Sequence, residues 1–234
     1  MRLRLPLGRR ALFAAAAILL LVPTMPARTV AGLLGLGSLG FAARDVEGSV
    51  WSARASEAQL GGLPLGDLRV RLDPWPLFVG HARLALEGAG DARGSVTVAR
   101  HLTGFSVSGW RLPTGGRFAP VPVSALTLEA MRARFQDGLC DFAEGTARVE
   151  LSGDPYGVGL PATLSGPARC DAGVLSLDLA GGGGERLLLA FPAPGQFRAT
   201  LSLRPGDPAL AAKLAAAGFA AGPNGLQLSV AGSW

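Results

Sequence analysis

Alternation of apolar and polar residues dominates the chain from about residue 55 onwards. It is clearest at 67–73, where leucine and valine alternate with arginine and aspartate. A period of two places apolar side chains on one face of a β-strand and polar side chains on the other. At least nine strands are predicted, at 67–73, 82–87, 96–98, 105–107, 147–151, 160–164, 175–179, 197–203 and 226–230.

Short turns rich in glycine, proline and aspartate separate these strands, as at 61–62, 73–74 and 154–155. Strands joined by such short turns are antiparallel neighbours, because a parallel return needs a dozen or more residues. The sequence therefore predicts a mainly β fold, an antiparallel meander. With one apolar face per strand, the sheet is expected to curve into a half-barrel, pack as a sandwich or leave an apolar trough.

One short C-terminal helix is predicted within residues 207–219. Asp207 suits the N-cap, Pro208 suits the first helical position, and Gly218 suits the left-handed position after the last turn. Leu210 and Leu214 are four residues apart and would lie against the sheet. We expect a helix that covers part of the sheet.

The first 45 residues predict a membrane anchor. Four arginines in the first ten residues precede a run without polar residues at 11–22. Basic flanks stay in the cytoplasm, so the rest of the chain is expected to be exported. We expect a cytoplasmic tail at 1–10, a single transmembrane helix at 11–27, a connector at 28–45 and an exported β domain at 46–234.

The length of this leader does not by itself decide whether the leader is cleaved. Its twelve to seventeen apolar residues, at about 1.5 Å rise per residue, fall short of a hydrocarbon core of about 30 Å. However, Met25 before Ala27 fits a signal-peptidase site poorly, and the side chains of Arg9 and Arg10 can extend to the headgroups. These features favour an anchor that stays attached.

The basic excess of the chain belongs to the leader. Four of the 22 lysine and arginine residues lie in the first ten positions, so 18 basic residues stand against 17 acidic residues beyond them. Single arginines alternate with carboxylates along the predicted strands instead of forming a basic stripe. Nucleic acid is therefore not expected as a partner.

Candidate catalytic groups are few. The only histidines, His81 and His101, have no partners nearby in sequence, and as zinc ligands they would need two further donors. We expect both to be surface or turn residues. A G-x-G-x-x-G match at 35–40 lacks the strand and helix of a dinucleotide site, so we interpret it as a glycine-rich connection. The sequence predicts no enzyme, cofactor or metal site.

Cys140 and Cys170 are the only cysteines. An exported body lies in an oxidising compartment, where such a pair is expected to form a disulfide. The alternative is two reduced, buried thiols. A redox role is not expected, because the pair lacks close C-x-x-C spacing.

Three segments carry a resemblance to a known family. They are Val-Glu-Gly-Ser-Val-Trp-Ser-Ala-Arg-Ala at 46–55, Leu-Gly-Asp-Leu at 65–68 and Asp-Pro-Trp-Pro-Leu-Phe-Val-Gly at 73–80. Their order resembles type II secretion system protein N, and the segments at 170–173 and 207–232 are similar to its C-terminal half. The resemblance implies an accessory inner-membrane component with a periplasmic domain and no catalytic activity. Other inner-membrane subunits of that system are the implied partners.

The rhythm of strands and turns also looks like that of AsmA-type periplasmic proteins, which are associated with lipid transfer. A lipid-binding trough is therefore the rival function, with lipid as the partner. Trp51 and Trp75 are candidate partner contacts, because large aromatic side chains often dominate interfaces. The alternative is that each fills the junction between strand and turn. Trp75 lies in the turn and not on the preceding strand, so the resemblance assigns it no role.

Overall fold

The computed structural model describes residues 26–33, 37, 40–115, 118–153 and 162–233. The expected cytoplasmic tail, nearly all of the expected anchor and most of the G-x-G-x-x-G match lie outside these residues. Among the described helices, none is both long enough and apolar enough to cross a membrane.

The N-terminal half is a short helix followed by strands. Their bounds are α1 (Ala27–Leu33), β1 (Phe41–Ala42), β2 (Asp45–Ser49), β3 (Ser52–Leu60), β4 (Leu63–Asp73), β5 (His81–Glu87), β6 (Arg93–Ala99), β7 (Leu102–Ser108) and β8 (Trp110–Pro113). A 3-10 helix at Trp75–Val79 joins β4 to β5. The four strands predicted in this half are confirmed, whereas β1, β2, β3 and β8 were not predicted.

The C-terminal half is built in the same way, with a second helix near its end. Its bounds are β9 (Val123–Gln136), β10 (Leu139–Leu151), β11 (Thr163–Asp171), β12 (Val174–Ala180), β13 (Arg186–Phe191), β14 (Gln196–Leu203), α2 (Pro208–Ala216), β15 (Ala220–Gly222) and β16 (Gly225–Ser233). Of these strands, β9, β13 and β15 were not predicted. The strand predicted at 160–164 overlaps β11 only at 163–164, and residues 160–161 lie outside the described residues.

All of the described strands belong to one antiparallel sheet, which is not closed. Its order is β1-β3-β4-β5-β6-β7-β9-β10-β11-β12-β13-β14-β16-β15. Strands that follow one another in the chain are mostly neighbours in the sheet, so the predicted meander is confirmed. Two strands depart from it, since β2 pairs with β3 beside β1, and β8 pairs with β9 beside β7.

The larger hydrophobic cluster lies in the C-terminal half. Leucines on one face of β11 to β14 are almost completely buried, although no second sheet covers them. Their burial therefore comes from the curvature of the sheet and from the segments that pack into it. One of these segments is 118–123, where Phe118 meets Phe197 edge to face with 4.9 Å between ring centroids. The fully buried leucines of these four strands are Leu164, Leu177, Leu179, Leu187, Leu189 and Leu201.

The smaller cluster lies in the N-terminal half around Trp110. Its indole is buried among alanines and Leu68, and its Nε1 donates a hydrogen bond of 2.9 Å to the backbone carbonyl of Arg93. Val107 and Leu128 pack against both clusters. The two halves therefore share apolar contacts where β7 and β8 meet β9.

Helix α2 confirms the prediction for residues 207–219. The carboxylate of Asp207 accepts the backbone N–H of Ala209 at 2.9 Å, and Gly218 takes a φ of +94° just beyond the helix. Leu214 is buried in the larger cluster, and Leu210 packs against it. The helix thus covers part of the interior of the C-terminal half.

Candidate functional site

Half of the turns lie at one end of the sheet, which we name the entry rim. It comprises the turns at 50–51, 74–80, 100–101, 137–138, 172–173 and 192–195. The chain also enters here, because Pro26 forms an antiparallel bridge with Ser49 at the end of β2. From this point α1 packs along β2, and the chain reaches β1 at the opposite end, beside Leu60. The entry rim is therefore the end of the sheet next to the expected anchor.

The turn between β4 and β5 exposes an unusual amount of apolar surface. Trp75, Phe78 and Val79 are 77%, 82% and 73% exposed. The Trp75 and Phe78 rings lie 6.1 Å apart between centroids. The carboxylate of Asp73 accepts the backbone N–H of Trp75 at 3.2 Å, and Gly80 closes the 3-10 helix with a φ of +83°. The sequence holds this apolar tip in a defined conformation.

The two predicted contact residues differ in exposure. Trp75 is largely exposed, so the alternative that it fills a strand-turn junction is wrong. Trp51 is half-buried in the turn between β2 and β3, and its carbonyl accepts the backbone N–H of Leu72 at 3.2 Å. The structure therefore places both tryptophans at the entry rim but leaves only Trp75 extensively accessible.

The two histidines also lie towards the entry rim. His101 Nδ1 lies 2.9 Å from Asp137 Oδ1 in an exposed pair, and the backbone N–H of Asp137 donates to the His101 carbonyl at 3.0 Å. His81 opens β5 and is paired with Ala99. These contacts tie turns together. Within the described residues, no group of three or more His, Cys, Asp or Glu side chains could hold a metal ion.

The predicted disulfide between Cys140 and Cys170 is confirmed, with the two Cα atoms 5.4 Å apart. It joins β10 to β11 where their ladder has ended, since the last pair towards the rim is Thr146 with Pro167. The backbone N–H of Cys140 donates to the Gly173 carbonyl at 2.7 Å. The disulfide therefore fastens two strands near the entry rim.

A cavity of about 770 Å³ opens beside β4, away from the rim. Strand β5 pairs only with the Arg69–Asp73 part of β4, so the earlier part of β4 borders this space. Arg54 and Arg69 stand opposite each other in register, and Arg93 is opposite Glu87. None of these three arginines forms an ion pair with a described carboxylate. The lining also contains the carboxylates of Asp67 and Glu87, so the cavity has three arginines against two carboxylates and only a small excess of positive charge.

Sequence reasoning missed this cavity. The alternation at 67–73 places Arg69 on the polar face, but it does not show which arginine of another strand stands opposite. That requires the register of β3 against β4, which contains bulges near Glu57 and Gly66. Only the polar character of the face could be predicted.

A bidentate ion pair between Arg111 and Glu150 lies outside this cavity. Arg111 Nε and Nη2 donate to the two carboxylate oxygens of Glu150 at 3.1 and 2.5 Å. These hydrogen bonds hold the pKa of Glu150 below its ordinary value near 4.5 and raise the pKa of Arg111. The pair links β8 to β10 across β9 and is structural in character.

Comparison with known proteins gives one match. The family model for the type II secretion system (T2SS), protein N, matches residues 40–229. No curated protein and no solved structure matches the chain significantly. The match includes both hydrophobic clusters, the disulfide and the apolar turn. On this evidence the chain belongs to the type II secretion system protein N family, and it is a component of that secretion system.

Proposed function

We propose that the chain is an accessory component of the type II secretion system in the inner membrane, with its sheet in the periplasm. The observation that carries this proposal is the family match across residues 40–229. The role is to contact other inner-membrane subunits and so to support assembly or stability of the machinery. This chain has no catalytic task in the proposal, since His101 contacts Asp137 between two turns and His81 opens β5 opposite Ala99.

Two features support the periplasmic location. The Cys140–Cys170 disulfide belongs in an oxidising compartment, and the periplasm is one. The leader carries its arginines before the apolar run, which favours export of everything that follows. Both features point to the same side of the membrane.

The arginine-lined cavity is the proposed contact for another subunit. Arg54 and Arg69 are like charges in directly opposed positions. Each also has a carboxylate opposite it on its other neighbouring strand, Glu47 for Arg54 and Glu87 for Arg69, but neither arginine forms an ion pair with a described carboxylate. A carboxylate-bearing segment of a partner would give these arginines charge-assisted hydrogen bonds. The partner surface is therefore expected to be acidic.

We do not propose the rival lipid-carrying function. An acyl chain needs an apolar trough, and the interior face of β11 to β14 is filled by its own leucines, by segment 118–123 and by α2. The cavity beside β4 is lined mainly by charged and small side chains. Neither space suits an acyl chain.

Affinity purification of the full chain from membranes in mild detergent tests the proposal. Mass spectrometry should identify inner-membrane subunits of the secretion system, and the double variant Arg54→Gln/Arg69→Gln should recover at least about tenfold less of them, as expected for two lost charge-assisted contacts. Arg198→Gln is the matched control, an exposed arginine of β14 outside the cavity. Absence of these subunits from the wild-type sample would refute the assembly role. Equal recovery with both variants would refute the cavity as the contact.

A further inference from the structure

The apolar turn at 74–80 is the longest connection on the entry rim. It spans seven residues between β4 and β5, whereas the turns at 50–51, 100–101, 137–138 and 172–173 have two residues each. The seven residues contain no charged side chain, and their most exposed members are Trp75, Phe78 and Val79.

We propose that this turn is a membrane wedge, inserted into the periplasmic headgroup region of the bilayer that holds the anchor. Tryptophan is enriched at membrane interfaces, where its ring meets acyl chains while its N–H meets headgroups. The prolines at 74 and 76 and the Asp73 hydrogen bond fix the backbone of the turn. Insertion therefore costs little additional conformational entropy. The occupant of this surface is the lipid itself.

The point where the chain enters the sheet supports this assignment. The apolar run within the expected anchor at 11–27 ends at Val22, and Pro26, which those bounds include in the anchor, is paired with Ser49 at the entry rim. Four residues span at most about 14 Å of extended chain. An anchored chain therefore holds its entry rim within about 14 Å of the hydrocarbon boundary, and the headgroup layer occupies about 5–7 Å of that distance.

The position of the turn within the sheet agrees with this reach. Pro26, β2, β3 and β4 are successive neighbours, each about 4.8 Å from the next, so the turn after β4 lies about 14 Å sideways from the entry point at Pro26. It is on the same end of the sheet and has more residues than the turns beside it. The wedge can therefore touch the bilayer while the strands stand in water.

Apolar contact, and not charge, attracts the wedge to the bilayer. The entry rim carries charges of both signs, including Arg100, Asp73, Asp137 and Asp171, so it offers no uniform attraction to anionic lipid. The wedge should accordingly bind neutral and anionic bilayers alike. This inference rests on the anchor within the proposed function, but not on the secretion-system partners.

Depth-dependent quenching of a fluorescent probe tests the wedge in the full chain. Both native cysteines are in the disulfide, so Val79→Cys supplies a single free thiol for an environment-sensitive dye. Leu60→Cys is the matched control, because Leu60 is 43% exposed but lies at the opposite end of β3. Each labelled chain is reconstituted into phosphatidylcholine vesicles, with and without phosphatidylglycerol, that carry spin labels at shallow or deep positions.

The dye at position 79 should show blue-shifted emission and be quenched most by the shallow spin label, at a depth of about 5–10 Å, in both lipid mixtures. The dye at position 60 should emit as in water. Adding Trp75→Ser and Phe78→Ser to the Val79→Cys chain should return its emission to the aqueous value. Circular dichroism of each variant confirms that the sheet is intact.

Flotation of the same samples separates the possible failures. A chain that floats with the vesicles while position 79 stays aqueous would overturn the wedge and leave the anchor standing. A chain that does not float would overturn the anchor and the wedge together. If position 79 becomes shielded only after other secretion-system subunits are added, the turn contacts protein, and the assignment to lipid is wrong.

Discussion

Removing the disulfide should destabilise the sheet by a calculable amount. Cys140 and Cys170 are separated by 30 residues, and closing a loop of that length in the unfolded chain corresponds to about 3.7 kcal/mol in the chain-entropy treatment. The double variant Cys140→Ala/Cys170→Ala should therefore lower the free energy of unfolding by about 3.7 kcal/mol. Alanine is chosen because Cys140 is buried, and a serine hydroxyl at this position would have no water molecule to hydrogen-bond.

The effect should also be local. Between the Thr146 pair and the rim, the disulfide and the Cys140 hydrogen bond to Gly173 connect β10 with β11. Relative to the wild-type chain, the variant should show faster hydrogen exchange of the backbone amides near the turn at 172–173. The amides of β13 and β14, which lie farther along the sheet, should be accelerated less.

Urea unfolding of the full chain in detergent, followed by circular dichroism, measures the global loss. Reductant should lower the stability of the wild-type chain to that of the double variant and should leave the variant unchanged. A loss below about 1 kcal/mol, or a variant that still responds to reductant, would refute the reasoning. Uniformly faster exchange across the sheet would show that the disulfide does not act locally at the rim.

Three further changes probe other parts of the sheet. Trp110→Phe, which loses the indole hydrogen bond within the smaller cluster, should lower the free energy of unfolding by about 1–1.5 kcal/mol in urea titrations, and no change would count against that bond. Gly166→Ala would drive a Cβ into the carbonyl of the adjacent strand, so a loss of about 1–3 kcal/mol is expected, whereas Gly182→Ala, in open space, should be tolerated. In Arg111→Gln the lowered pKa of Glu150 should rise towards its ordinary value, as an NMR titration would show. In the wild-type chain, the stabilisation from this ion pair is fully present above the ordinary carboxyl pKa and is lost as the pH falls through the lowered pKa of Glu150. A Glu150 titration that is the same in the variant as in the wild-type chain would contradict the role of Arg111.

The sequence predicts a strand well where one face is buried and the other is in water. Strand β4 is such a case, with Leu68 inward and Arg69 outward. Strand β9 is not, because it lies between the two clusters and carries buried apolar side chains on both faces, as the adjacent residues Ala125 and Leu126 illustrate. Its alternation is also interrupted at Ala130, which has a φ of +48° in a bulge opposite Gly145.

Local signals also predicted α2 and the disulfide, and they singled out Trp75 as a contact candidate without showing its exposure. The capping residues of α2 act within a few positions of one another, and the cysteines are the only pair available. The entry rim and the arginine cavity could not be predicted, because each depends on which strands are adjacent and in which register. Side chains from β3, β4 and β6 meet there only after the sheet has formed.

Strand β9 has a consequence for the order in which the molecule is completed during synthesis. On one side β9 pairs first with β8 and then with β7, and on the other side it pairs with β10. Among the described strands, β8 has no other ladder partner. The chain is synthesised from its N-terminus. Until residue 136 is available, β7 therefore lacks one of its two neighbouring strands and Trp110 is incompletely buried. The early strands therefore stay accessible to proteases and to wrong pairings until β9 has been synthesised.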